Sequence, residues 1–398
     1  MKRDIYLKNY SSTFTSITYL LIAFIMVGAH QFNLPILPYL LVILFGNKNL
    51  NNILSNKVNV IILFLISLSI FSLFIRGYPF VEAINVSRFF FGLPFIYLFL
   101  SSKLLSKLKY PIIISFITWN LIELIITYIT GDTPFYIRNF FIANGLDEVN
   151  RRRLMDENTF RILGPVINSS INGTISACIF VASIFNKEII FSNTQISKIQ
   201  QTLITILSAI IFFFSASGTG YVIISLLLIN KFFWPTIKNL FKNLRVKVFS
   251  LTLLAFGLIA SIQALIILPT VFSKLEIRYL AFIIQDKRRE ILEFLNLGDL
   301  RGVFFGIDYQ PESLFVNGDF IILGFISSLG LLLLLFFIFI MLKIFRSNRI
   351  YFYALLISSL HYGTIFTVTG QIICAIVFSS RKKIIPSSKI STILNSNL

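Results

Sequence analysis

The 398-residue sequence is short of charge: 13% of its residues are charged, and Asp and Glu together number 17. A soluble domain carries about 25% charged residues to cover its surface. The shortage excludes both a soluble enzyme and a disordered tail. Cysteine is as scarce. Cys178 and Cys374 lie in apolar runs, with no CxxC and no His at metal-ligand spacing. That excludes a disulfide framework and a zinc site. No small-residue cleavage site follows Met1-Lys2-Arg3-Asp4, so the first apolar run reads as an anchor and not as a cleaved signal. Internal repeats, heptad seams and low-complexity tracts are missing too.

What the chain has is hydrocarbon. It is 56% hydrophobic with 44 Phe, and its mean hydropathy is +0.84. Lipid must be part of its solvent. Apolar runs begin near Thr13, Leu34, Val58, Ile84, Pro111 and Pro165, and again near Thr202, Tyr221, Val248, Phe320, Ile350 and Thr367. Each is long enough, or nearly so, to cross about 30 Å of hydrocarbon as a helix. The runs at Leu34, Tyr221, Ile350 and Thr367 must borrow flanking residues. The expected fold is all-α: a polytopic integral membrane protein, one domain over 1–398, with about 12 transmembrane helices. Two long connections, 131–163 and 271–318, are dense in charge, and 384–398 reads as a loose tail.

The formal net charge is +18, and its placement decides its meaning. One alternating set of loops, from Lys2 to Lys389, is rich in Lys and holds Asp4 and Glu188 as its only acids. The positive-inside rule makes that set cytoplasmic, with both termini inside and both long loops outside. The excess charge is then a topology signal, and nucleic acid is excluded as a partner.

The outer set is built from Arg: Arg76, Arg88, Arg138, Arg151, Arg152, Arg153, Arg161, Arg278, Arg288, Arg289 and Arg301, with Lys274 and Lys287. Guanidinium holds phosphate or carboxylate through a fixed fork of donors. Two readings stand: solvated loops neutralised by their own acids, or an outward cleft gripping anionic headgroups or pyrophosphates. In the second loop, Leu275, Tyr279, Phe282, Ile283, Ile291, Leu292 and Leu295 recur at helical spacing, which predicts an amphipathic surface helix. Its charged face carries Arg278, Lys287, Arg288 and Arg289. Arg278 and Arg289 stand about 16 Å apart along it, a spacing suited to two lipid-linked substrates and too wide for one pyrophosphate.

After the first loop, Phe160-Arg161-Ile162-Leu163-Gly164-Pro165 leads into Asn168, Ser169, Ser170, Asn172, Gly173 and Thr174. So polar an entry puts Arg161 at the mouth of a polar groove, or else marks a helix capped by Asn and Ser with an interfacial Arg. Ser215-Ala216-Ser217-Gly218-Thr219-Gly220 lacks a phosphate-loop Lys and predicts a tight turn or close helix packing. Asp319 caps a helix or acts as a base, and His361 is a satisfied polar group or a base. Glu123 and Gln371, inside apolar runs, are functional candidates because polar groups are costly there. Asn85-Val86-Ser87 and Asn172-Gly173-Thr174 match the short glycosylation pattern.

The arrangement of spans, the two Arg-rich outer loops and several local motifs resemble the O-antigen polymerase (Wzy) family, within the group of polytopic polymerases and O-antigen ligases. Arg161-Ile162-Leu163-Gly164 with Asn168 is similar to that family's Arg-x-x-Gly…Asn entry, and Arg153 with Gly164 has its Arg-x10-Gly spacing. Lys287-Arg288-Arg289 followed by Gly306-Ile307-Asp308 resembles its Arg…Gly-Ile-Gly segment, with Asp308 in place of the last Gly. Ligases carry a His where this chain has Val316-Asn317, so the polymerase is favoured. The resemblance implies glycosyl transfer from undecaprenyl pyrophosphate at the outer leaflet of a bacterial inner membrane. No metal or nucleotide cofactor is implied, and the expected partners are undecaprenyl-pyrophosphate-linked glycans, the bilayer and a chain-length regulator. Arg161, Arg278, Arg288 and Arg289 become the expected pyrophosphate contacts, with Arg153 and Arg88 behind them, and His361 or Asp319 the base. Asp156 and Glu157 are expected to meet sugar hydroxyls. A flippase, an O-antigen ligase and a peptidoglycan polymerase with an essential outer-loop acid remain the alternatives.

Overall fold

The computed structural model describes residues 16–32, 34–46, 53–130, 161–191, 197–215, 217–232, 285, 289, 292, 300–308, 321–359 and 363–379. Among them the regular structure is helical. The order is α1 (Ser16–Val27), α2 (Leu37–Gly46), α3 (Lys57–Ile75), α4 (Phe80–Phe99) and α5 (Ser102–Thr130). It continues with α6 (Ser169–Phe185), α7 (Lys187–Phe191), α8 (Lys198–Ser215) and α9 (Gly218–Phe232). Then come α10 (Leu300–Phe305), α11 (Ile321–Ile344), α12 (Arg349–Ser358) and α13 (Val368–Ile373), the last running on as a π turn over Cys374–Phe378.

Apolar runs become helices here because a helix satisfies every interior backbone donor and acceptor within itself, which lipid demands. Five helical stretches among the described residues are long and apolar enough to cross a membrane: α3, α4, Lys107–Thr130 of α5, α8 and α11. Their outward faces carry large apolar side chains; Phe64 is 62% exposed and Phe71 61%. Such faces need lipid as solvent, and the chain is a membrane-embedded helical protein.

The apolar runs do not all become equal spans. Those from Leu34 and Ile350 give α2 and α12, ten residues each, a rise of about 15 Å against about 30 Å of hydrocarbon. The run from Pro165 becomes helical at Ser169, because residues 161–168 take a non-helical path. The run from Thr367 is buried from Val368 to Phe378, so this segment faces protein on every side and forms the middle of the bundle. The run from Val248 lies outside the described residues, as do 131–160 of the first loop, the tail 384–398 and nearly all of 271–299.

The core is aromatic. Phe90 and Phe91 of α4 meet Phe325 and Phe337 of α11 and Phe366 before α13, with Phe90–Phe325 centroids 4.5 Å apart and Phe90–Phe366 5.3 Å. These tilted and edge-on pairs lock α4, α11 and α13 together. A second unit packs α6 against α8 and α9. Gly173 of α6 is what allows the approach, since a Cβ there would lie 2.4 Å from Cβ of Ser217.

Candidate functional site

One cluster of buried polar groups surrounds residues 161–168. This segment re-enters the bundle with Gly164 at φ +66° and Ile167 at φ 54°, backbone states that helical and extended residues avoid. Its amides are held by a side chain from another helix. Glu123 of α5 accepts from Leu163 N at 2.8 Å through Oε1 and from Gly164 N at 2.6 Å through Oε2. Gln31, just beyond α1, donates from Nε2 to Gly164 O at 3.2 Å. Ile162 N donates to Phe214 O of α8 at 3.0 Å. Two helices and the turn after α1 therefore set the backbone that follows Arg161, whose side chain is exposed at the start of the segment.

Below the segment runs a buried amide and hydroxyl network. Asn172 Nδ2 donates to Asn120 Oδ1 at 2.6 Å and to Ser215 Oγ at 3.1 Å. A Cβ on Gly164 would lie 2.3 Å from Asn172 Oδ1, so glycine is required here by space as well as by φ. Asn168 caps α6, its side chain accepting from Ile171 N at 3.0 Å. Asn168 is thus a helix cap, and Arg161 is exposed at the start of the segment above this buried network. Ser215–Gly220 is the predicted close packing, with Ser217 Oγ donating to Ser170 O at 3.2 Å. Asn172 is fully buried, which rules out the glycosylation reading of Asn172-Gly173-Thr174.

A second polar group joins α2, α4 and α13. Tyr39 Oη donates to Gln371 Oε1, and Gln371 Nε2 donates to Phe89 O at 2.7 Å and Phe366 O at 2.9 Å. All of Gln371's polarity is thus spent on the fold, so its place in an apolar run reflects a structural tie. Arg88 of α4 lies half-buried beside this tie, its Cζ 6.0 Å from the Tyr39 ring. His30, which composition and motif did not single out, stands near it. Burial first, and then the charge of Arg88, lowers the His30 pKa to about 4.

Arg76 closes α3 and works as a clamp. Its Nε donates to Ser72 O at 3.1 Å, Nη1 to Ile307 O at 2.9 Å, and Nη2 to Ser328 O. Desolvation lowers its pKa, while Tyr78 and Asp308 oppose the shift. This outer-set arginine is committed to protein carbonyls. Its binding brings α10 against the point where α11 breaks, and Ile307 N completes the join by donating to Ser327 O at 2.7 Å.

Arg153, Arg278, Arg288, Asp319 and His361 lie outside the described residues, as do Asp156 and Glu157. Arg289 is helical and exposed, with Gln285 and Leu292 at helical spacing on either side. That agrees with helix at these three positions of the predicted surface element. Among the described residues no three His, Cys, Asp or Glu side chains form a metal-binding group. Comparison of the chain with protein-family models, with curated proteins and with solved structures gives no match.

Proposed function

We propose that the protein is a glycosyltransferase that polymerises lipid-linked oligosaccharide repeat units at the outer leaflet of a bacterial inner membrane. Both termini are cytoplasmic in this reading, about 12 spans cross the bilayer, and loops 131–163 and 271–318 face outward. The observation that carries it is the way Arg161 is presented. An exposed guanidinium stands beside a backbone pinned at residues 162–164 by Glu123, Gln31 and Phe214 O, and a cation presented there can meet the charge of a departing pyrophosphate.

The reaction needs no metal and no nucleotide. The acceptor hydroxyl of one lipid-linked repeat unit attacks the anomeric carbon of a growing glycan. The new glycosidic C–O bond forms as the anomeric C–O bond to undecaprenyl pyrophosphate breaks. The hydroxyl proton passes to a base, for which His361 and Asp319 are the candidates. Negative charge builds on the pyrophosphate oxygens and is met by Arg161 and Arg289, with Arg153, Arg278 and Arg288 as further contacts. A chain-length regulator is the expected protein partner.

The test is deletion of the gene followed by electrophoresis of surface polysaccharide. A polymerase mutant keeps chains capped with a single repeat unit and loses the longer ladder. Complete loss of O-antigen from the lipid core would instead assign the protein to ligation or flipping and overturn the polymerase reading.

A further inference from the structure

A groove of about 270 Å³ lies between α2, α3 and α4. Its walls include Leu40 and Ile43 of α2, Ile66 and Ile70 of α3, and Phe91 and Phe95 of α4. Leu40 is 49% exposed and Ile43 43%, so the groove opens on the outside of the bundle, where lipid is the solvent. Among the described residues, one cation, Arg88, lines it, and no Asp or Glu does.

The position of that cation is informative. Side chains on a helix lean toward its N-terminus. The N-terminus of α4 is three residues beyond Gly77, at the end of the bundle where Arg76 holds Ile307. The Arg88 guanidinium therefore reaches back toward that end, to the level of Tyr39 in the first turn of α2. The result is a cation at the head of an apolar chute. A guanidinium without a counter-charge is costly within a bilayer. An anionic head would neutralise it through forked hydrogen bonds, while a hydrocarbon tail below would cover the apolar walls.

We propose that this groove is a binding site for an anionic glycerophospholipid of the surrounding bilayer. Its phosphodiester lies on Arg88, and one acyl chain lies between α2, α3 and α4. Charge selects this occupant. A phosphodiester carries one negative charge and meets one cation, whereas a pyrophosphate carries more and calls for several. Arg88 thereby leaves the set of pyrophosphate contacts and becomes a lipid anchor. The site stands apart from the proposed reaction, and its test does not depend on that reaction.

The full chain in detergent is titrated with phosphatidylglycerol or phosphatidylcholine, and bound lipid is counted by native mass spectrometry. The expected result is phosphatidylglycerol binding at least about tenfold tighter than phosphatidylcholine in the unaltered protein. Arg88→Gln should bring the two lipids level. Leu40→Trp, which fills the groove and leaves the charge in place, should weaken phosphatidylglycerol binding even if Arg88→Gln fails to fold. Equal affinities in the unaltered protein would overturn the proposal, as would undiminished phosphatidylglycerol binding in both variants. Displacement of phosphatidylglycerol by equimolar undecaprenyl pyrophosphate, dependent on Arg88, would give the groove to the substrate and overturn it as well.

Discussion

At the scale of single residues, Glu123 is the test of whether the Arg161 segment is positioned or merely nearby. Glu123→Gln keeps one oxygen acceptor and turns an amide donor toward the other backbone N–H. Leaving that buried donor unpaired costs about 1–3 kcal/mol, so thermal melting in detergent should fall by several degrees. Glycosyl transfer should fall further than stability does. Arg161→Lys supplies the contrast, because the exposed side chain makes no hydrogen bond or ion pair among the described residues: melting should be unchanged while polymer formation drops about tenfold or more. Full activity in Arg161→Lys would remove the need for a forked cation. His30 adds a pH dependence. Its pKa is lowered from 6.5 to about 4 in the fold, so the unfolded chain binds the extra proton first. Stability is intact above about pH 6.5 and is lost progressively as the pH falls toward 4, by about 2 kcal/mol after allowing for the part of the ring that water reaches. His30→Gln should flatten that slope between pH 7 and pH 5. Residue by residue, the chain was partly legible. An acid in an apolar run is conspicuous, which singled out Glu123, and Asn168 before a helix reads as a cap. The partners of Glu123 are backbone amides 40 and 41 positions away, and amides carry no residue-type signal. His30 escaped notice for a related reason: its environment comes first from burial and then from Arg88, on another helix, and its own neighbourhood announces neither.

At the scale of elements, α11 is the instructive case. Its sequence reads as one apolar span, yet Gly330 sits inside it at φ 84° and ψ 160°. Glycine is common in membrane helices, so its presence there foretells no break. The break exists because α10 packs into it: a Cβ at Gly330 would lie 2.3 Å from Phe304 O. Gly306, at φ +90°, makes the matching turn under Arg76. Gly330→Ala should therefore cost about 1–3 kcal/mol from backbone strain alone, and more from displacement of α10. The check is hydrogen exchange at residues 300–308, which should quicken together with amides near Ser328. Arg76→Lys should do the same with less loss of global stability, since one ammonium cannot reproduce a guanidinium donating along three directions. Unchanged exchange in both variants would show that α10 is held by something other than this clamp.

At the scale of the whole molecule, scarcity of charge was enough to establish an all-helical, lipid-embedded chain. The number of spans was less legible, because apolarity marks the buried centre of a large bundle as readily as it marks contact with lipid. The Val368–Phe378 segment is apolar for the first reason. Orientation rests on a different signal, the excess of Lys and Arg over acids in one alternating set of loops, and it can be tested without knowing the reaction. Cys178 and Cys374 are free and fully buried, so a membrane-impermeant maleimide should leave the unaltered protein unlabelled. Asp132→Cys, in the first long loop, should then react in intact spheroplasts. Lys382→Cys, beyond the last apolar run, should react only after the membrane is opened. The reverse pattern would invert the topology. It would place Arg161 on the cytoplasmic side, where a pyrophosphate-linked acceptor from the outer leaflet could not reach it. Labelling of both positions in intact spheroplasts would mean an odd number of spans between residues 132 and 382 is wrong, and the alternation of Lys-rich and Arg-rich loops would no longer describe the two faces of the membrane.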